Sequence, residues 1–194
     1  MKKFKSYIAV FIMIMLVTGC SLSDFDADIN TVYVKKDGSV TDAIIEDFSE
    51  TYYDSTELES LINDSIDAYN DGTEKIKVKK YTVKDDIAKL ITNYETASDY
   101  VSFNKVDFFA GTISEATKSG YDFAQEFTGI EDKNTVGSET IMSLTQYKVI
   151  AFNENVEIKT DSKILYISNN AELVNDKTAK LTDGAQGLAY IVYE

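Results

Sequence analysis

The amino-acid sequence predicts an α+β fold, with an N-terminal hairpin, an amphipathic helix and further strands, followed by an antiparallel, β-rich C-terminal half. Three observations lead to this prediction. An Asp-Gly pair joins two short apolar runs, a capped amphipathic run follows them, and short β-like runs separated by polar turns fill the chain beyond residue 140.

The hairpin is predicted over Thr31–Lys36 and Val40–Phe48. Between these runs, Asp37-Gly38 supplies residue types that tolerate a positive φ in a tight turn. We therefore expect the two runs to pair as antiparallel strands.

The helix is predicted to begin at Asp54, since aspartate caps helix N-termini. Glu57 stands three residues later and would complete a capping box, while Tyr53 would pack on the first turn. Thr56 with Glu59 is a second candidate start. Either start leads into the same helix.

The apolar face of this helix is expected to lie on the hairpin. Asn70-Asp71-Gly72 provides the residue types that end a helix. The apolar residues recur at helical spacing, and they are Leu58, Leu61, Ile62, Ile66 and Tyr69.

Residues Lys75–Tyr94 alternate apolar and polar side chains, which predicts two strands joined by a turn at Lys84-Asp85-Asp86. The alternation slips at Lys79-Lys80, and such a slip indicates a bulge. Two short helices and then a loop or boundary are predicted beyond these strands, over Thr96–Asn104, Ser114–Ser119 and Thr128–Glu139 respectively.

The sequence pattern of the C-terminal part predicts short strands. We predict residues 31–127 to form an α/β half and residues 140–194 a β-rich half, either within one domain that shares a core or as two domains. No proline occurs, so the turns depend on Asn, Asp and Gly. The predicted strands are Tyr147–Phe152, Val156–Lys159, Ile164–Ser168, Glu172–Val174, Thr178–Leu181 and Leu188–Tyr193.

The N-terminus has the pattern of an export signal. Lys2, Lys3 and Lys5 precede an apolar run from Tyr7 to Val17. A helix needs about 20 apolar residues to cross the hydrocarbon core of a bilayer, so this run is too short for a transmembrane anchor.

The apolar run ends in Leu16-Val17-Thr18-Gly19-Cys20, which resembles the lipobox of bacterial lipoprotein precursors. The resemblance implies cleavage after Gly19 and attachment of membrane lipid to Cys20. It further implies export, and anchoring by lipid to the outer face of a bacterial cell membrane. An ordinary secretory signal with a chance cysteine is the alternative.

On this interpretation, residues 1–19 are a signal peptide and residues 20–30 are a lipid anchor and polar tether. Taken whole, the chain resembles uncharacterised surface lipoproteins of bacteria, and only residues 1–20 carry that resemblance. Cys20 is the one cysteine, so no internal disulfide can form. The exported domain must therefore be stabilised by its core.

Charge limits the partners that we expect. The chain has 33 acidic residues against 19 lysines and no arginine, for a net charge of −14, and loss of the signal lysines Lys2, Lys3 and Lys5 moves it to −17. Without arginine, bidentate recognition of phosphate is absent. Nucleic acid is therefore not an expected partner.

The residue inventory also limits the chemistry. The chain has no histidine, which excludes a Ser-His-Asp triad and the usual zinc ligand sets, and a lipidated Cys20 offers no thiolate. We therefore predict no catalytic residue, no metal ligand and no cofactor. Three elements resemble those of penicillin-binding proteins and β-lactamases but occur in a different order, namely Ser102-Phe103-Asn104-Lys105, Lys118-Ser119-Gly120 and Ser168-Asn169-Asn170.

Asp24-Phe25-Asp26-Ala27-Asp28 resembles the start of a calcium-binding EF-hand loop. Ile29 stands where that loop needs glycine, and Lys35 stands where it needs glutamate. We interpret the segment as tether.

Aromatic residues provide the candidate binding surface: Tyr52, Tyr53, Phe108, Phe109 and Tyr121. The alternative is that these rings fill the core. Burial distinguishes the two.

Three hypotheses of function remain open. The first is a non-catalytic binding or scaffold lipoprotein whose partner is an envelope protein, a peptide or a glycan. The second is an envelope glycan hydrolase that uses a pair of carboxylates, which two facing acids of shifted pKa in a cleft would support. The third is an assembly component that pairs with another chain through an uncovered sheet edge.

Overall fold

The computed structural model describes residues 25–194, and these form the α+β fold that the sequence predicts. The helices are α1 (Ser55–Asn70), α2 (Ala97–Asn104), α3 (Ile113–Lys118) and α4 (Ser138–Ser143). The strands are β1 (Thr31–Val34), β2 (Val40–Asp47), β3 (Ile76–Lys84), β4 (Ile87–Tyr94), β5 (Phe108–Thr112), β6 (Phe127–Gly129), β7 (Thr135–Val136), β8 (Lys148–Phe152), β9 (Glu157–Thr160), β10 (Ile164–Ser168), β11 (Ala171–Asn175), β12 (Thr178–Leu181) and β13 (Ala189–Tyr193).

The strands form two sheets. One has seven strands in the order β11-β12-β9-β1-β2-β4-β3, and the other has six in the order β5-β8-β13-β10-β6-β7. Neighbouring strands run antiparallel, except that β1 and β9 are parallel. Each sheet contains strands from residues 31–127 and from residues 140–194, so the two parts of the chain are interleaved.

The predicted hairpins are confirmed. Val34 pairs with Val40 at the end of the first hairpin, and Gly38 in its turn has a φ of 87°. In the second hairpin Asp85 and Asp86 both have positive φ, at 52° and 60°, as a two-residue hairpin turn with the right-handed strand twist requires. The register of β3 against β4 shifts between Val78 and Lys80, where the bulge was predicted.

Helix α1 begins as predicted, because the Asp54 side chain accepts hydrogen bonds from the backbone N–H groups of Thr56 at 2.8 Å and Glu57 at 3.1 Å. The predicted apolar face is partly wrong. Ile66 is buried, but Leu61 is 57% exposed and faces solvent. The helix covers only the β3 side of the sheet, so the buried stripe is narrower than the sequence pattern indicates.

Hydrophobic side chains form two cores on opposite faces of the six-stranded sheet. The inter-sheet core lies between the two sheets and receives Ile66 from α1 and Tyr100 from α2. The helix-covered core lies on the other face, where α3 and α4 contribute Ile113, Ala116 and Ile141. Alternation along β8 and β13 sends successive side chains to different cores, with Ile150, Phe152, Ile191 and Tyr193 in the first and Val149, Ala151, Tyr190 and Val192 in the second.

Two parts of the chain differ from the prediction. Strand β5 lies in a stretch that lacks clear periodicity, and it forms because Phe108 pairs with Phe152 of β8 at the edge of the six-stranded sheet. The region predicted as a loop, Thr128–Glu139, contains most of the small β6–β7 hairpin and the start of α4. Strand β5 depends on β8, which is distant in sequence. Strands β6 and β7 have three and two residues, so they are too short to show a periodic pattern.

Candidate functional site

The predicted cleavage and lipidation residues, Gly19 and Cys20, lie outside the described residues. The structure does describe the second part of the predicted tether, Phe25–Asn30, which is attached to the seven-stranded sheet. The ring of Phe25 stacks on Tyr33 with centroids 5.4 Å apart, and Lys159 lies 5.5 Å from the Phe25 centroid.

Charged and polar contacts extend this attachment. Asp26 pairs with Lys89 at 2.9 Å and with Lys80 at 3.4 Å, and these two hydrogen-bonded partners lower the pKa of Asp26. The Asn30 side chain accepts a hydrogen bond from the backbone N–H of Ile45 at 2.6 Å. Asp26 and Asp28 are thus engaged by lysines, with Asp28 lying 3.6 Å from Lys89, and residues 25–30 cross the outer face of the sheet. Asp24 of the calcium-like stretch lies outside the described residues.

The surface with the strongest binding character consists of Phe48, Tyr52 and Tyr53, which we call the tyrosine patch. Tyr53 lies between the other two rings, 4.9 Å from Phe48 and 4.8 Å from Tyr52 between centroids. Tyr52 is 75% exposed and Tyr53 is 44% exposed. The rings are therefore ordered against one another while much of their surface remains in water.

Local hydrogen bonds hold the loop that carries the tyrosine patch. The Asp47 carboxylate accepts hydrogen bonds from the backbone and hydroxyl of Ser49, at 2.8 and 2.5 Å, and Asp54 caps α1 on the other side. The Phe48 N–H donates to the carbonyl of Asp86 at 2.7 Å. This last bond joins the loop to the β3–β4 turn.

Acidic groups border the tyrosine patch. The neighbouring Tyr52 phenol is the main cause that raises the pKa of Tyr53, and the carboxylates of Glu50 and Asp47 add to it because they disfavour a phenolate. The patch is therefore aromatic at its centre and negatively charged at its rim.

The other predicted surface rings are less exposed. Phe108 is only 3% exposed and packs on Tyr100 at 5.1 Å, so it is a core residue rather than part of a binding surface. Phe109 and Tyr121 pack on each other with tilted rings, 4.8 Å between centroids, and are half-buried beside the helix-covered core. Their pairing with neighbouring strands and helices explains the burial.

Sequence reasoning missed a pair of acids at the inter-sheet core. Asp42 on β2 is 7% exposed, and burial followed by the charge of Glu154 raises its pKa to about 7. Burial also raises the pKa of Glu154, whose carboxylate accepts a hydrogen bond from the Tyr100 hydroxyl at 2.9 Å. The missed signal is Asp42 itself, which interrupts the apolar face of β2 between Val40 and Ile44.

These two acids face the core. A shallow groove of about 380 Å³ lies nearby, bordered in part by Asn30, Ile45, Asn155 and Lys180, and neither Asp42 nor Glu154 lines it. Lys180 is paired with Glu172 at 3.0 Å. Asp42 is therefore buried and Glu154 is half-buried near it, and neither side chain lines the groove where a substrate could bind.

The serine–lysine elements do not form a site. The Ser168 hydroxyl is buried, accepts a hydrogen bond from the Tyr190 N–H at 2.7 Å and bonds to Asn170 at 2.7 Å, so it is a structural group. Ser102 lies on α2 and Lys118 on α3. Within residues 25–194, no three acidic or sulfur side chains are grouped so that they could hold a metal ion.

The fold and the tyrosine patch together define an α+β protein with two mostly antiparallel sheets and an aromatic surface loop. No protein-family model, curated protein or solved structure matches the chain. In the part of the chain that the structure describes, no helix is both long and apolar enough to cross a membrane.

Proposed function

We propose that this protein is a lipid-anchored, non-catalytic envelope protein that binds a partner protein through the tyrosine patch. The observation that carries the binding role is the exposure of Tyr52 and Tyr53, at 75% and 44%, on a loop that hydrogen bonds hold in place. The anchoring role rests on the residues around Gly19 and Cys20 and their resemblance to a lipobox.

The chemistry of the patch indicates the kind of partner. Tyrosine is enriched at the centres of protein interfaces because it buries a large area at a low cost in side-chain entropy. Since carboxylates border the patch, a partner segment with apolar and basic side chains would complement both its centre and its rim. Lysine or arginine of that segment could also lie over the tyrosine rings.

The anchoring role is tested with Cys20→Ala. We expect the wild-type protein to sediment with membranes after a salt wash and the variant to be released, with an unchanged circular dichroism spectrum. Ser21→Ala is the matched control and should stay bound. A Cys20→Ala variant that stays with the membranes would show that lipid on this residue is not the anchor.

The binding role is tested with the double variant Tyr52→Ala/Tyr53→Ala on an array of peptides that combine apolar residues with lysine and arginine. We expect at least about a tenfold loss of affinity, which corresponds to about 1.4 kcal/mol. Met142→Ala/Val174→Ala removes two other exposed hydrophobic side chains and should bind normally. Equal losses in the two double variants, or a preference for acidic peptides, would contradict the proposal.

A further inference from the structure

One acid of the inter-sheet pair lies on a strand that is fixed on both sides. Strand β2 is hydrogen-bonded to β1 and to β4, and Asp42 opposes Val32 on the first and Thr92 on the second. Its side chain is buried on the face of β2 that meets the inter-sheet core. When Asp42 ionises, its backbone therefore has little freedom to carry the charge towards water.

The other acid lies on a connection with few contacts. Glu154 belongs to residues 153–156, which join β8 of the six-stranded sheet to β9 of the seven-stranded sheet. Among the described residues, no hydrogen bond outside the sheet ladders involves the backbone of residues 153–156. The Tyr100 hydroxyl donates to the Glu154 carboxylate at 2.9 Å, and Val156 packs against the inter-sheet core. The connection is thus held at the core through the side chains of Glu154 and Val156.

The described titratable groups that face Asp42 are Glu154, Tyr94 on β4 and Tyr100 on α2. Burial and then the charge of Glu154 raise the pKa of Asp42 to about 7, and no described lysine lowers it. Burial is the largest cause that raises the pKa of both phenols, and the charge of Asp42 adds to it. Both phenols are therefore neutral where Asp42 ionises, and the charge that Asp42 then meets is that of Glu154.

The connection that carries Glu154 also forms one wall of the shallow groove. Asn155, Val156 and Glu157 line this wall. The backbone N–H of Glu157 donates to the carbonyl of Asn30 at 3.0 Å, which fixes the wall where β9 begins. A change in the position of Glu154 would therefore move the wall and leave the strand behind it in place.

We infer that Asp42 and Glu154 form a pH-dependent latch, in which ionisation of Asp42 drives Glu154 out to solvent and loosens the β8–β9 connection at the wall of the groove. With Asp42 protonated, Glu154 stays bonded to Tyr100 and the connection is closed. With both acids ionised, like charges repel in a poorly solvated space, and Glu154 is the acid that can move. The latch goes beyond the proposed anchoring and binding roles and depends on neither.

Proton linkage sets the direction of the change with pH. Asp42 holds its proton more tightly in the closed state, because the charge of Glu154 is near and water is largely excluded. The open state removes both causes, so it favours the ionised form. A rise in pH through about 7 should therefore shift the population towards the open connection, and a fall in pH should restore the closed one.

The latch is tested with a spin label on the connection. In the full chain with Cys20→Ala, Asn155→Cys offers one thiol for a nitroxide at an exposed position of the groove wall. We expect the mobile component of its electron paramagnetic resonance spectrum to increase by about twofold or more between pH 5.5 and pH 8.5, because local opening raises the mobility of the label. Ser162→Cys in the β9–β10 turn is the control position and should give the same spectrum at both pH values.

The two acids are tested separately in the Asn155-labelled chain. Asp42→Asn and Glu154→Gln should each abolish the change with pH, since each leaves at most one charge in the pair. The glutamine can still accept the hydrogen bond from Tyr100, so the connection should stay closed. Glu157→Gln removes a charge from the same wall and should keep the change with pH. Circular dichroism establishes that each variant is folded, and either folded acid variant is sufficient for the test.

Three outcomes would overturn the latch. The first is equal mobility at position 155 at both pH values in the chain that retains both acids. The second is a change with pH that persists in Asp42→Asn or in Glu154→Gln, which would assign it to other groups. The third is an equal change at position 162, which would indicate general loosening of the domain. Because Cys20 is absent throughout, none of these results depends on membrane anchoring.

Discussion

The inter-sheet core and the helix-covered core share the six-stranded sheet, yet they differ in what they enclose. Asp42, at 7% exposed, is the one buried acidic side chain among residues 25–194, and it opposes Val32 on the face of β2 that meets the inter-sheet core. The helix-covered core has Ser168 as its buried polar neighbour, and the Tyr190 N–H satisfies that hydroxyl.

This difference shows that one sheet can support two cores with different responses to pH. A neutral hydroxyl with a hydrogen-bond partner costs little to bury, whereas an ionised carboxylate in a core costs several kcal/mol unless it is paired. Glu154 adds a second negative charge rather than a partner. The stability of the inter-sheet core should therefore depend on pH, and that of the other should not.

The largest effect is expected from Phe127→Ala in the helix-covered core. Phe127 is fully buried and packs near Phe123 and Tyr190 at 6.4 and 6.1 Å between centroids. Its truncation should lower the free energy of unfolding by about 3–5 kcal/mol. Urea titrations at pH 5 and pH 8 should give the same loss, and a loss that changes between them would show that this core also responds to pH.

A comparable effect is expected from Ile66→Ala at the inter-sheet core, with Leu61→Ala on the same helix as its control. Because Ile66 is buried, Ile66→Ala should lower the free energy of unfolding by about 2–5 kcal/mol. Leu61 is exposed, so Leu61→Ala should lower it by less than about 0.5 kcal/mol. Equal losses in denaturant titration would mean that Leu61 is packed and that the narrow buried stripe of α1 is incorrect.

Asp42→Asn should stabilise the protein at alkaline pH. The folded-state pKa of Asp42, about 7, lies above its unfolded value near 3.9, so the folded state binds the proton more tightly and stability is lost as the pH rises from about 4 to 7. At 1.36 kcal/mol per pH unit, the loss reaches up to about 4 kcal/mol above pH 7.

Asparagine has a similar shape and no charge, so the variant should escape this loss. We expect its free energy of unfolding to exceed that of the wild type at pH 8 and the gap to shrink at pH 4.5. The other carboxylates titrate in both proteins, so their contribution cancels when the free energies of unfolding of the wild type and the variant are subtracted at each pH. A gap of constant size at both pH values would mean that Asp42 does not titrate in this range.

The smallest effects come from two hydroxyl deletions, one beside each core. Tyr100→Phe removes the hydrogen bond to the Glu154 carboxylate and should cost about 1.5–3 kcal/mol, since the acceptor carries charge. Tyr190→Phe removes a bond to the neutral carbonyl of Asp122 and should cost about 0.5–1.5 kcal/mol. Urea titration at pH 8 measures both. The reverse order of losses would indicate that Glu154 is neutral when Tyr100 donates to it.

Local chemistry explains which parts of the fold could be predicted. The Asp-Gly turn at Gly38, the Asp54 cap and the bulge near Lys79-Lys80 are each encoded by neighbouring residues, and the structure contains all three. The exposure of Tyr52 and Tyr53 could also be anticipated from their place in a polar loop before a helix cap. Such features require no knowledge of distant partners.

The features that could not be predicted depend on distant parts of the chain. Phe108 looks like a surface candidate until β5 pairs with β8, and Leu61 looks like a core residue until the position of α1 on the sheet is known. Asp42 and Glu154 are 112 positions apart, and only the packing of β2 against the β8–β9 connection brings their charges together. Sequence periodicity contains no information on such long-range contacts.

The parallel pairing of β1 with β9 has a consequence for how the chain folds. Strands β2, β3 and β4 with helix α1 come from one continuous stretch, Val40–Tyr94, and can assemble from contacts that are near in sequence. Strand β1 must also pair with β9, so Val32 cannot gain its partner Ile158 until the chain has been made as far as β9. Because closing such a long loop is slow, we expect the meander to form early and the central β1–β9 seam to close late. A chain that emerges N-terminus first would thus expose the unpaired edge of β1 until β9 has been synthesised, and this interval is when it is most open to aggregation or to capture by a chaperone.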